Sequence, residues 1–262
     1  MAAAGMSTLR RVKRLTDTRV VVTGATSGLG KAMAEALVEA GARVAVTSRE
    51  RSRAETAAVA LGPTAVGIAL DVRDQASVHA GADEIYERFG GVDVLVNNAG
   101  IGMRTVNPRF LTDPHPFWAV TPEGFIDVLE TKVMGCFLVA RAVVPRMLGA
   151  GSGRVITISM NEQTMVRRGF VPYGPAGAAV EALARVMAAD LAGTPVTANI
   201  LLPGGATATG MLPDDVSPET RATLLNPAIM GPPIVWLASD EAEGIHDERI
   251  IATNFDDWLA QC

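Results

Sequence analysis

The sequence predicts one α/β domain, a doubly wound parallel sheet of about seven strands with helices on both faces. Three observations carry that prediction. Short β-branched runs alternate with longer alanine-rich stretches of helical period. The runs are almost continuously apolar, as in strands buried on both faces. A glycine-rich turn at residues 23–30 follows the first run and leads directly into a helical stretch.

The elements follow in order. Residues 19–23 (RVVVT) read as a buried strand, and 30–40 as a helix stopped at Gly41. Residues 43–48 form a second strand and 51–61 a second helix. A third strand at 65–70 precedes a helix at 75–89, and 93–97 is a fourth strand. Residues 121–148 predict one long helix that Pro145 should end or bend. A strand at 154–159, a helix at 173–192, a strand at 196–201 and a short strand at 249–252 complete the order. Each crossover is long enough for a helix, so right-handed connections give an open sheet. The proline-rich stretch 205–233 is expected to be a lid or substrate loop.

Composition supports one domain spanning 1–262. Hydrophobic residues are 48% of the chain and charged residues 19%, enough apolar surface for a large core and too little charge for disorder. A net charge of −5 argues against a nucleic-acid binder. Cys136 and Cys262 stand in no ligand cluster, so neither a metal site nor a disulfide framework is expected. No run of 18 apolar residues predicts a membrane span. Residues 1–17, with Arg10, Arg11, Lys13 and Arg14, read as a basic leader without a secretory core, and the expected location is cytoplasmic.

The turn reads Thr23-Gly24-Ala25-Thr26-Ser27-Gly28-Leu29-Gly30. Glycine permits the sharp backbone turn and lets a pyrophosphate approach without a Cβ in the way. The helix that follows points its free N–H groups at that anion. Set between strand and helix at the start of an α/β chain, the motif predicts a dinucleotide site.

Further motifs extend the pattern. Asp71-Val72 follows the third strand, Asn97-Asn98-Ala99-Gly100 ends the fourth, and Pro203-Gly204 with Thr207 and Thr209 follows the sixth. In this order and over nearly its whole length, the chain resembles the short-chain dehydrogenase/reductase family, with its Rossmann-like fold. The resemblance implies cofactor contacts from Thr23, Gly24, Ser27, Gly28, Leu29, Gly30, Asp71, Val72, Asn98, Ala99, Gly100, Tyr173, Pro203, Gly204 and Thr207. It also implies a homo-oligomer, dimer or tetramer; apolar residues of 133–144 could serve such an interface or could be intrachain core. At the end of the second strand, where NAD users generally carry a carboxylate, this chain has Ser48 and Arg49. A guanidinium there suits a 2′-phosphate, so NADP(H) is favoured, with NAD(H) as the alternative.

The family's catalytic group is a Tyr with a Lys four residues later, a Ser about 13 residues upstream and an Asn on the preceding helix. Tyr173 matches the Tyr. The Lys position holds Gly177, the Ser position falls on Met160 with Ser159 beside it, and the Asn position holds Lys132. Asn161 is a further polar neighbour. Gly177 is expected to open space beside the cofactor; Lys132 either extends its ammonium into that space or is a solvated helix residue, the site then having lost ordinary hydride chemistry. An ammonium near Tyr173 would favour its phenolate. His115, Phe117 and Trp118 in the loop 101–120, and Glu162, Gln163, Arg167 and Arg168 before Tyr173, are weaker candidates, better explained as loop or solvated residues. The favoured function is NADP(H)-dependent oxidation or reduction of a small carbonyl, alcohol or conjugated alkene, with Tyr173, Lys132 and Ser159 as catalytic residues. A non-redox isomerase, cyclase, dehydratase or lyase on the same fold, and a non-catalytic cofactor-binding protein, stand as alternatives.

Overall fold

The computed structural model describes residues 15–262. The basic cluster Arg10, Arg11, Lys13 and Arg14 lies outside the described residues. Leu15 is buried in the core beneath the first helix.

Seven parallel strands form one sheet. The first half runs β1 (Arg19–Val22), α1 (Gly28–Glu39), β2 (Arg43–Ser48), α2 (Arg51–Leu61), β3 (Ala65–Ala69), α3 (Gln75–Phe89) and β4 (Val94–Asn97). Then come α4 (Pro122–Leu129), a π turn (Glu130–Met134), α5 (Gly135–Ala150), β5 (Gly153–Ile158) and the short α6 (Glu162–Met165). The chain closes with α7 (Tyr173–Leu191), β6 (Val196–Leu202), α8 (Pro218–Ala222), α9 (Gly231–Ala238), β7 (Arg249–Ile251) and α10 (Phe255–Leu259).

The spatial order is β3-β2-β1-β4-β5-β6-β7. It reverses direction between β1 and β4, and loops leaving the C-terminal ends of those strands diverge there. Ligands of open α/β sheets bind in that crevice. The strands are apolar on both faces because each face is covered. Val20, Val22, Val94 and Val96 pack under α1 and α9, while Val21, Leu95 and Val155 pack under α3 and α5. Trp236, Phe255 and Trp258 close the C-terminal end, with the two indoles 5.5 Å apart.

Three expectations change. The helix predicted over 121–148 is continuous from Pro122 to Ala150, but it is interrupted by the π turn around Lys132. Pro145 neither ends it nor leaves a buried orphan, because Pro145 and Arg141, whose carbonyl loses its partner, are both exposed. That helix is also apolar enough for a membrane span by length and composition. It is instead a core helix, with Val139, Val143 and Met147 buried against the sheet. Most apolar residues of 133–144 therefore serve the chain's own core. Met134 and Phe137 are the large ones among them left exposed.

Candidate active site

The glycine turn is built by backbone packing. Gly24 and Gly28 both have positive φ, at 63° and 57°, a conformation a side chain would strain. A Cβ on Gly24 would lie 3.0 Å from the Ala99 Cα, and one on Gly30 would lie 2.6 Å from the Gly24 carbonyl oxygen. The turn is tied to the end of β4 by Thr23. Its hydroxyl donates to the Val96 carbonyl and accepts from the Asn98 and Ala99 amides at 2.9 and 3.0 Å. The Asn98 side chain donates to the Thr23 and Gly24 carbonyls. Two of the sequence motifs are thus one hydrogen-bonded unit across the switch point.

This cradle fits a pyrophosphate. Ser27 is in extended conformation at the head of α1 and its hydroxyl does not cap the helix, so the first-turn N–H groups keep no side-chain acceptor. Thr209 faces Gly28, at 3.5 Å from where a Cβ would stand. Thr207 pairs with Leu225, which fixes the returning loop beside the turn. A cavity of about 660 Å³ opens there, lined by Gly28, Lys31, Thr209, Leu212, Arg221 and Asn226 among others. Gly204 holds a positive φ of 95°, and its carbonyl accepts from Asn161.

On the adenine side, Ser48 ends β2 and accepts from the Glu50 amide. Arg49 is 60% exposed and among the described residues makes one loose ion pair, with Glu50 at 4.0 Å, so its guanidinium is available. Burial would raise the Asp71 carboxyl, but hydrogen bonds and charge from Arg73, helped by Arg49, hold it below its ordinary value. Val72 packs against Gly135 at the start of α5.

Tyr173 opens α7 and is half-buried. Its hydroxyl meets the Met211 sulfur of the 205–233 loop at 3.9 Å. Arg104 secures that loop by donating to the Gly210 and Leu212 carbonyls on either side of Met211 and by pairing with Asp214. Burial pushes the phenol above its ordinary value near 10. The neutral, proton-bearing form therefore dominates at neutral pH.

The space expected beside Gly177 is filled. A Cβ there would meet the Met160 sulfur at 2.7 Å, and Met160 is buried. The thioether packs against the bare helix backbone and occupies the position from which a side chain at 177 would project. Ser159 is also engaged elsewhere. Its hydroxyl donates to Glu181 on α7, and Glu181 pairs with Arg249 of β7 at 2.6 Å. Arg249 donates in turn to the Met160 carbonyl. This network holds the Ser159 hydroxyl against Glu181, two helical turns beyond Tyr173.

Lys132 does not enter the space at 177. It lies in the π turn, and its Nζ stands 5.0 Å from the centre of the Tyr173 phenol ring. Its stem runs along Gly100, where a Cβ would come 3.1 Å from Lys132 Cγ. Among the described residues no carboxylate pairs with it. Burial pushes the amine down to about 8, and Cys136 offsets part of that fall. Cys136 is a buried thiol pushed up to about 12, unsuited to nucleophilic work.

The weaker candidates stay apart from this cluster. His115, Phe117 and Trp118 are exposed, with the two aromatic rings packed on each other. Arg167 lies over the Phe170 ring, and Arg168, Glu162 and Gln163 face solvent. Sequence reasoning missed Met211, Arg104 and Glu181. The loop prolines pointed to a lid but carried no sign of which residue meets Tyr173.

Known proteins show the same architecture. A family model described as short chain dehydrogenase matches residues 18–219. The 3-oxoacyl-(acyl-carrier-protein) reductase FabG of Vibrio cholerae is 34% identical over 237 residues, covering 88% of this chain and 93% of the relative. D-threitol dehydrogenase of Mycolicibacterium smegmatis is 33% identical over 193 residues, covering 72% and 70%. Among solved structures, the 3-ketoacyl-(acyl-carrier-protein) reductase of Brucella melitensis, complexed with NADH, aligns with a TM-score of 0.79 and 26% identity, covering 90% of this chain and 97% of that one. A short-chain type dehydrogenase/reductase of Mycobacterium marinum aligns with a TM-score of 0.78 and 26% identity, covering 92% and 96%. The chain belongs to the short-chain dehydrogenase/reductase family, and it is an oxidoreductase.

Proposed function

We propose that the chain is an NADP(H)-dependent reductase of a small carbonyl compound or a conjugated alkene, with Tyr173 as proton donor and Lys132 as the cation beside it. The observation that carries this reading is the Lys132 amine over the Tyr173 ring. The chain has only three lysines among 23 basic side chains. One of them stands, with no carboxylate partner among the described residues, against the one residue of the family's catalytic group that is retained.

The residues of 23–30 hold the pyrophosphate by free amides and glycine geometry, and Asn98, Ala99 and Gly100 line the way to the reacting end. Asp71 and Val72 flank the adenine, and Arg49 with Ser48 pairs with the 2′-phosphate. When bound, the dinucleotide supplies the hydride. Tyr173 keeps its proton at neutral pH and gives it to the substrate oxygen or carbon that accepts it. The phenolate left behind is stabilised by the Lys132 ammonium, which is charged below its pKa of about 8. Both states suit reduction: the acid is loaded and the cation awaits the anion. Ser159 is assigned to positioning, through Glu181 and Arg249, rather than to contact with substrate. Met134 and Phe137 are proposed as part of a homo-oligomer contact.

The test follows absorbance of reduced nicotinamide with a panel of ketones, enones and 3-oxoacyl thioesters. Consumption of NADPH in preference to NADH is expected. Product formation without NADPH consumption would overturn the redox reading.

A further inference from the structure

Tyr173 is walled by apolar groups. Buried Met103, Phe110 and Phe170 form a small cluster apart from the main core, and Tyr173 packs against it. The Phe110 and Phe170 rings meet edge to face at 5.4 Å. Met211 adds a further side. Its sulfur lies 3.9 Å from the phenol hydroxyl, and its Cγ lies 3.1 Å from where a Cβ on Gly102 would stand. Thr209, Gly210 and Leu212 line the cavity beside α1, whereas Met211 leaves that row and meets the tyrosine. Arg104 fixes the departure with four hydrogen bonds, to the Gly210 and Leu212 carbonyls and to both oxygens of Asp214. Thr112 adds a second tie between the same two loops, donating to Asp215 at 2.7 Å.

We propose that the substrate is an uncharged, hydrocarbon-rich ketone or enone, with a ring or alkyl body next to its carbonyl, and that Met211, positioned by Arg104, is the residue that selects it. This rests on the reading of Tyr173 as proton donor given above. Among the described residues the Met211 thioether is the hydroxyl's one hydrogen-bond partner, and Lys132 stands over the ring rather than at the hydroxyl. A substrate oxygen that reaches Tyr173 takes the place of the thioether there. A hydrocarbon body then exchanges one apolar contact for another. A carboxylate or a row of hydroxyls would instead lose its water to a wall that offers no partner in return. Methionine suits the task, because its unbranched, polarizable side chain moves aside and lies along a ring face.

The experiment titrates the full chain, loaded with the oxidised dinucleotide, with 1-tetralone, acetoacetate and erythrulose in a calorimeter, and follows NADPH consumption with the same three compounds. The ring ketone is expected to bind and to react at least about tenfold better than the anion or the polyol. Met211→Ala is expected to raise KM for 1-tetralone about tenfold, with Met211→Leu recovering most of the loss. Met211 is 38% exposed, so a lysine is accommodated there. Met211→Lys is expected to move the preference at least about tenfold towards acetoacetate. Arg104→Leu should reproduce the loss seen in Met211→Ala, and the double variant should add little, since Arg104 acts through Met211. Additive losses would overturn that positioning role. Equal or tighter binding of acetoacetate or erythrulose by the wild type, or a preference unmoved in Met211→Lys, would overturn the substrate class. Selective binding of 1-tetralone without NADPH consumption would support the pocket while refuting the reductase reading.

Discussion

The two sides of the switch point are built on different principles. On the β1–α1 side, the cradle is made of backbone and of missing side chains, locked by Thr23 and Asn98. On the β5–α7 side, the candidate groups are side chains drawn from several elements. Gly177 carries none, Met160 fills its place, and Lys132 arrives from another helix. Backbone geometry tolerates few substitutes because every atom near it is fixed. Side-chain chemistry can be supplied from any element that reaches the same point.

The sharpest way to break this contrast is at Gly30. A Cβ there crowds the Gly24 carbonyl and the Asn98 amide, and overpacking of this kind costs roughly 1–3 kcal/mol. Gly30→Ala is expected to abolish NADPH binding in a fluorescence titration and to lower the melting temperature. Binding at unchanged affinity would show that the turn is no cradle.

Lys132→Met probes the other side. Loss of the cation is expected to lower kcat about 10–100-fold while leaving NADPH affinity nearly intact. Wild-type kcat is expected to decline above pH 8, as Lys132 loses its charge, and the variant should lack that limb. The unfolded chain keeps this proton up to about 10.5, whereas the folded chain releases it near 8. Raising the pH across that window therefore favours the fold, and calorimetry should show Lys132→Met more stable than wild type at pH 7. Equal turnover in the two proteins would return Lys132 to a purely structural role.

Arg49→Leu tests cofactor choice with a smaller effect. Losing the exposed guanidinium should raise KM for NADPH about tenfold, with little change for NADH, since the lost ion pair is specific to the phosphate. Equal changes for both would place the phosphate elsewhere. Smallest is Gly177→Lys. The flexible end of Met160 must shift to admit its Cβ, so a stability loss of about 1 kcal/mol, the low end for overpacking, is expected, relieved in Met160→Ala/Gly177→Lys. A stable, unperturbed single variant would mean that Met160 yields freely.

The legibility of the sequence followed the same division. The succession of strands and helices, the glycine turn and the motif at residues 97–100 were readable, because they depend on local pattern; the spatial strand order and the bonds joining the two motifs came only with the fold. The π turn was not, since 130–134 itself holds no Gly or Pro, and Gly135 at its end is a residue that ordinary helix also accommodates. Nor was the engagement of Ser159, whose partners on α7 and β7 meet it only through the closed sheet. The Met160 plug was hidden because a methionine next to a vanished lysine looks like mere loss until the packing is seen.

The packing of Met160 against Gly177 couples the two positions. A side chain at 177 requires the thioether to move, and a smaller residue at 160 alone would leave a hole against a bare helix. Substitutions at the two sites are therefore expected to be non-additive, each setting the cost of the other.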